Sequence, residues 1–201
     1  MKYLFVYRMC ADTGFAPCVD DGLLTLACCK GGHIRKGKPC NTGIRFWIGS
    51  KKDGIDYQKD EVYVLGTFKD KFLYLARIEN VELMEDYFKC LKKHRTDMIY
   101  RFENNYLKRN DYLQKEGVHI TNEENIRDIA GKYVLESKDY IYLGKDAVEI
   151  DVVKQYNPKH QETKIYNGNV AEIIICECKK YNDGKTHKPN YPIKKICGVK
   201  K

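Results

Sequence analysis

Glu61-Val62-Tyr63-Val64-Leu65-Gly66-Thr67-Phe68-Lys69-Asp70-Lys71-Phe72-Leu73-Tyr74-Leu75-Ala76-Arg77-Ile78 is the stretch on which the fold turns. Its two runs of β-branched, aromatic and aliphatic residues, 61–65 and 72–78, flank the polar Lys69-Asp70-Lys71, a pattern that predicts two strands joined by a turn. Outward toward the N-terminus, Ile44-Arg45-Phe46-Trp47-Ile48 reads as an apolar strand closed by Gly49-Ser50. Lys2 to Arg8 reads as a first strand, followed by the irregular loop Asp12-Thr13-Gly14-Phe15-Ala16-Pro17. The apolar run Gly22 to Cys29 fits a helix or a buried strand equally well. In the other direction, Leu83 to Lys93 places Leu83, Tyr87, Phe88 and Leu91 on one helical face. Asn104 to Ile129 is polar and reads as a long excursion, Tyr133 to Ile150 as a pair of strands, and Ala171 to Cys178 as a late strand. Runs of strands with one clear helix predict an α+β fold: a mixed, mainly antiparallel sheet or a partly open barrel, with one or two packed helices. Residues 1–150 are expected to form the core, and 151–201 a lysine-rich, irregular C-terminal extension packed on the same domain.

The chain of 201 residues suits one domain large enough to bury a core without staples. Its nine cysteines are an odd number, so a complete disulfide framework is impossible within one chain. The apolar start is too short for an export signal and the apolar runs are too short for a bilayer, which predicts free thiols, a cytoplasmic location and no membrane partner. The formal charge is +8, unevenly spread. Residues 22–52 hold seven basic side chains, Lys30, Arg35, Lys36, Lys38, Arg45, Lys51 and Lys52, and no carboxylate, while the tail after Cys178 holds eight lysines against Asp183. Such clustering is the footprint of polyanion binding, with a merely solvated lysine surface as the competing reading for the tail.

Neither a dinucleotide fingerprint nor a Walker loop is present, and the serine-elbow and H-E-x-x-H patterns are also missing, so no cofactor is expected. No C-x-x-C pair occurs, and Cys176 and Cys178 would share a strand face as packing residues, so no metal is expected. Cys29 precedes Lys30, His33 and Arg35, and nearby positive charge favours a thiolate nucleophile with His33 as base. Core packing is the competing reading, because free cysteines are among the most buried residues. Lys30, His33, Arg35, Lys36 and Lys38 in a glycine-loosened loop can approach phosphate oxygens closely. With Arg45 and Arg101 they form the candidate phosphate-binding set, and Phe15, Phe46 and Trp47 offer faces for stacking a base. Asp97, His119 and Asp128 form an acid/base group if the 104–129 excursion folds back, whereas an Asp97–Arg101 surface ion pair is the plainer alternative.

Gly14-Phe15-Ala16-Pro17, Thr25-Leu26-Ala27-x-Cys29-Lys30 and Ile34-Arg35 resemble the start of the second nucleotide-modification-associated domain family. Gly49-Ser50, Leu75-Ala76-Arg77-Ile78, Asp97-x-Ile99-Tyr100-Arg101, Val134-Leu135 and Tyr140-x-Tyr142-x-Gly144 follow in the family's order, so the resemblance spans roughly residues 1–150. The chain departs from the family pattern at Gly31, where the family has proline, and at Thr42-Gly43, where it has a Gly-Asp turn. The resemblance implies a bacterial or phage protein associated with base modification in nucleic acids, including DNA, and carries over no catalytic residues. The order of strands is also similar to PUA-like barrels that read modified bases, an analogy of fold alone. The expected function is therefore to hold a nucleotide, or a base in nucleic acid, against the 22–52 basic face. The alternatives are an enzyme using Cys29 or the Asp97/His119/Asp128 group, and a defence or counter-defence protein binding a small nucleotide signal.

Overall fold

The computed structural model describes residues 1–35, 38–40, 43–89, 95–110, 121–185 and 187–189, and only the main chain of 33–35 and 39. Its centre is β1 (Lys2–Met9), which pairs in parallel with β6 (Glu61–Phe68) and antiparallel with β14 (Thr163–Asn167). β7 (Lys71–Arg77) folds back on β6 through Lys69 and Asp70, both at positive φ, the backbone that a two-residue hairpin turn needs. β12 (Tyr140–Tyr142) and β13 (Val148–Glu149) add to β7 and complete a six-stranded sheet. A second sheet has the order β2 (Cys18–Asp20), β3 (Leu23–Leu26), β11 (Tyr133–Ser137), β8 (Asn80–Leu83). Two small hairpins, β4 (His33–Arg35) with β5 (Lys38–Cys40) and β9 (Tyr100–Glu103) with β10 (Tyr106–Arg109), stand apart from these. The fold is thus α+β with mixed, mainly antiparallel sheets and no closed barrel, as the strand runs predict.

β1 is covered on both faces, which explains its unbroken apolar run. Phe5, Tyr7 and Met9 face a core shared with Leu24, Leu26, Tyr87 and Tyr100, whereas Leu4 and Val6 face Ala171, Ile174, Ile175 and Cys178. Those last four residues lie on α5 (Gly168–Lys179), a helix where a strand is expected. Lying three, four and seven residues after Ala171, the other three share one helical face with it, and Ile173 and Cys176 on the opposite face are exposed. Much of 151–179 is likewise regular rather than irregular, since α4 (Asp151–Tyr156), β14 and α5 all belong to the packed sheet layer.

Residues 44–48 also correct the strand expectation, because Ile44–Gly49 forms the helix α1. Ile44 and Ile48, one turn apart, both enter the core, while Phe46 turns to Tyr133 at 6.2 Å and Trp47 to Phe5 at 6.4 Å. α2 (Met84–Lys89) occupies part of the expected helical stretch and buries Tyr87 and Phe88; Leu83 instead ends β8 and is exposed, and 90–93 lie outside the described residues. The polar excursion contains β10 and the helix α3 (Asn122–Ala130), which Thr121 caps. Thr121 Oγ1 accepts from the Glu124 N–H at 3.2 Å and the Glu124 carboxylate accepts from the Thr121 N–H at 2.9 Å, a reciprocal box that holds the first turn. Among the described residues no helix is long and apolar enough to cross a membrane.

Candidate functional site

Beyond β3 the chain makes a turn at Cys29-Lys30 in which both residues adopt left-handed backbone, with φ of 53° and 50°. β3 and β4 do not pair with each other, so no hairpin imposes these angles on two residues with a Cβ. Each such position costs about 1–3 kcal/mol and persists only where its surroundings over-determine it. The surroundings here are Arg45 and Asp128. Arg45, 0% exposed on α1, donates Nε to Cys29 O at 2.7 Å, Nη1 to Ala27 O at 3.0 Å and Tyr133 O at 2.8 Å, and Nη2 to Asp128 O. One fork thus ties the turn to β11 and to the end of α3. The Asp128 carboxylate accepts from the Cys29 N–H at 2.6 Å and from the Tyr100 hydroxyl at 2.9 Å. Burial pushes the Arg45 pKa down, and the nearby Asp128 carboxylate works against that shift. Burial first and Asp128 second hold the Tyr100 phenol protonated.

On its other side the turn sets the Lys30 ammonium 4.6 Å above the Tyr7 ring. The Tyr7 and Tyr74 hydroxyls lie 2.7 Å apart, and the Tyr142 hydroxyl donates to Asp12 at 2.7 Å. Burial is the main cause that raises the pKa of Tyr7, Tyr74 and Tyr142, and Asp12 adds to all three shifts. Asp12 therefore lies close enough to act on three phenols, yet no sequence expectation singled it out. The available signal was its Asp-x-Gly setting, in which the Gly14 N–H donates back to the carboxylate at 3.4 Å.

The expected site residues divide. Cys29, Lys30 and Asp128 meet at the turn, with Arg45 beneath it as its internal clamp rather than on a solvent-facing basic surface, because its side chain is 0% exposed and makes four bonds to main-chain carbonyls. Phe15 is core, with its carbonyl accepting from the Cys28 thiol at 3.4 Å. Trp47 is half-buried with Lys52 4.1 Å above its ring. Asp97 belongs to another network: it pairs with Arg95 at 3.3 Å and accepts from Tyr87 at 2.8 Å and from Thr25. Arg101 does not pair with it, lying instead 3.3 Å from Glu103 on the surface. His119 lies outside the described residues, as do Lys36 and the side chains of His33 and Arg35. Among the described residues no group of three or more His, Cys, Asp or Glu side chains is arranged to hold a metal ion.

Thiol labelling separates these environments. Cys18, Cys28 and Cys178 are buried and their thiol pKa values are raised, Cys18 and Cys178 chiefly by burial and Cys28 chiefly by its hydrogen bond with Cys29 and then burial. Cys176 is exposed on α5. In native protein Cys176 is expected to alkylate about a hundredfold faster than these three, read by peptide mass spectrometry. Equal rates would contradict the packing of α5, of β2 and of the residues that follow β3.

No curated protein and no solved structure is significantly similar to this chain. The family model described as nucleotide modification associated domain 2 does match, over residues 1–194, so the resemblance read from residues 1–150 extends through α5 and beyond. By that match over nearly its whole length, the chain with the clamped Cys29-Lys30 turn belongs to the nucleotide modification associated domain 2 family.

Proposed function

We propose that the protein holds a nucleotide, or a base exposed in a nucleic acid, at the Cys29-Lys30 turn, as a binding module in base modification. The observation that carries this reading is the pair of consecutive non-glycine residues kept in left-handed backbone by Arg45 and Asp128. A fold that bears this strain fixes the main chain beside Lys30, and fixed backbone with a nearby ammonium suits a phosphate group. Lys30 and the exposed Lys38 supply the charge, while Lys51 is held by Asp56 at 3.0 Å. The family supports a link to nucleotide modification. The unbridged thiols at Cys18, Cys28, Cys176 and Cys178 support a reducing, cytoplasmic setting.

The test is the salt dependence of binding. Each phosphate contact on duplex DNA contributes a slope of about −0.9 in log affinity against log salt, and about −0.7 on single strands. Replacing Lys30 and Arg35 together by alanine is expected to flatten the slope by roughly one to two units, and the same change at Lys194 and Lys195 by less. A mononucleotide, which lacks a condensed ion atmosphere, gives a shallow slope from the start. Wild-type protein that binds neither polymer nor nucleotide at low salt would overturn the reading, as would a double variant that binds unchanged.

A further inference from the structure

The segment His187–Pro189 lies far along the chain from the Cys29-Lys30 turn, yet it touches Gly14, two residues after Asp12, and the Gly144–Lys145 turn that follows β12. Pro189 rests on Gly14, whose N–H donates to Asp12; a Cβ there would stand 2.8 Å from the proline ring. Lys188 O accepts from the Lys145 N–H at 2.9 Å and lies 2.0 Å from where a Cβ of Gly144 would be, two residues beyond Tyr142. Both glycines have positive φ, so backbone and cover fit only with no side chain at either position. Gly14 follows Asp12 by two residues and Gly144 follows Tyr142 by two, so the segment touches the chain on both sides of the Asp12–Tyr142 pair, and Asp12 in turn acts on Tyr7, the ring beneath Lys30.

One side chain fastens the segment. His187 Nδ1 is 2.8 Å from Asp146 and Nε2 is 3.1 Å from Asp183. A neutral imidazole has one N–H, so only the imidazolium donates to both carboxylates. We propose that His187–Pro189 is an autoinhibitory strap, fastened by His187 between Asp146 and Asp183, that closes the Asp12–Tyr142 side of the nucleotide site. The inference rests on the function proposed above. The other charges facing the fastening are Lys145, 3.6 Å from Asp146, and Lys185, whose N–H donates to Asp183 at 3.0 Å. The His187 pKa is raised, first by its bond to Asp146. A raised histidine pKa makes the fastening complete below the ordinary value and loses it as pH rises through the folded value. The strap therefore loosens on the alkaline side.

Amide exchange reads the strap without any ligand. The Lys145 N–H reports the bond to Lys188, and the Leu143 N–H, bonded to Leu73 O at 2.8 Å, is the internal control. At about pH 6, His187→Ala and Asp146→Asn are expected to speed Lys145 exchange about tenfold relative to Leu143. In wild type the same ratio is expected to rise between about pH 6 and pH 9, after correction for intrinsic rates, and to stay flat in His187→Ala. An unchanged ratio in both variants overturns the strap. Binding of nucleoside 5′-monophosphates is the second arm, with several-fold tighter binding expected for His187→Ala. Faster exchange with unchanged affinity overturns autoinhibition while leaving the proposed function intact. If neither wild type nor variant binds any nucleotide or nucleic acid at low salt, the proposed function fails and autoinhibition fails with it, whatever the exchange shows.

Discussion

Replacing Arg45 by alanine is expected to cost about 3–5 kcal/mol of stability, enough to leave a typical domain largely unfolded. The guanidinium is 0% exposed and donates to the carbonyls of Ala27, Cys29, Asp128 and Tyr133. Its loss strands four buried acceptors, each costing about 1–3 kcal/mol if water cannot reach it, and leaves the Asp128 carboxylate without its nearby positive charge. Lysine does not restore the site, because a point ammonium cannot reproduce a planar fork aimed at four oxygens. Arg127→Ala, which removes a surface pairing with Glu123 at 3.4 Å, is the control and is expected to stay within about 0.5 kcal/mol of wild type. Urea denaturation measures both. A wild-type midpoint for Arg45→Ala would mean that the turn is not clamped as described.

Asp97→Ala carries a comparable expected loss, about 3–5 kcal/mol, because it leaves Arg95 nearly buried without its counter-charge. Arg95 also donates to Asp20 O at 2.8 Å and to Thr25 Oγ1 at 3.0 Å, so it cannot swing out to water cheaply. Replacing both partners by apolar residues, Arg95→Met with Asp97→Leu, is expected to recover most of the loss, since no lone charge then remains inside. The comparison also tests the acid/base role open to Asp97 from sequence. An ion-pair residue changes the denaturation midpoint in this pattern, whereas a proton-transfer residue leaves the fold intact when changed to asparagine. A loss below about 1 kcal/mol for Asp97→Ala would contradict the ion-pair account.

What the sequence makes legible depends on how far each signal reaches. The β6–β7 hairpin and the first strand are local, written in apolar runs and a polar turn, and both form. α1 and α5 were read as strands because short apolar runs hide their period: Ile173 to Cys176 are all apolar, yet only Ile174 and Ile175 of the four are buried. α3 was missed although Thr121-x-x-Glu124 is a start signal that can be read directly, because the stretch around it is polar. At the site, Cys29 and Lys30 were singled out from neighbouring charge. Arg45 joined them for the wrong reason, since composition counts a charge without saying which way it faces. Asp12 went unread because its partner, Tyr142, is 130 residues away, and that pairing exists only once both sheets have formed.

The position of β1 fixes an order of events on the ribosome. Lys2–Met9 leaves the exit tunnel well before its antiparallel neighbour, Thr163–Asn167. Throughout that interval the nascent chain presents one bare edge of an apolar strand, the kind of template that recruits other strands. The central sheet therefore closes only once Thr163–Asn167 has emerged, and a chain stalled before residue 163 lacks the strand that would cap it.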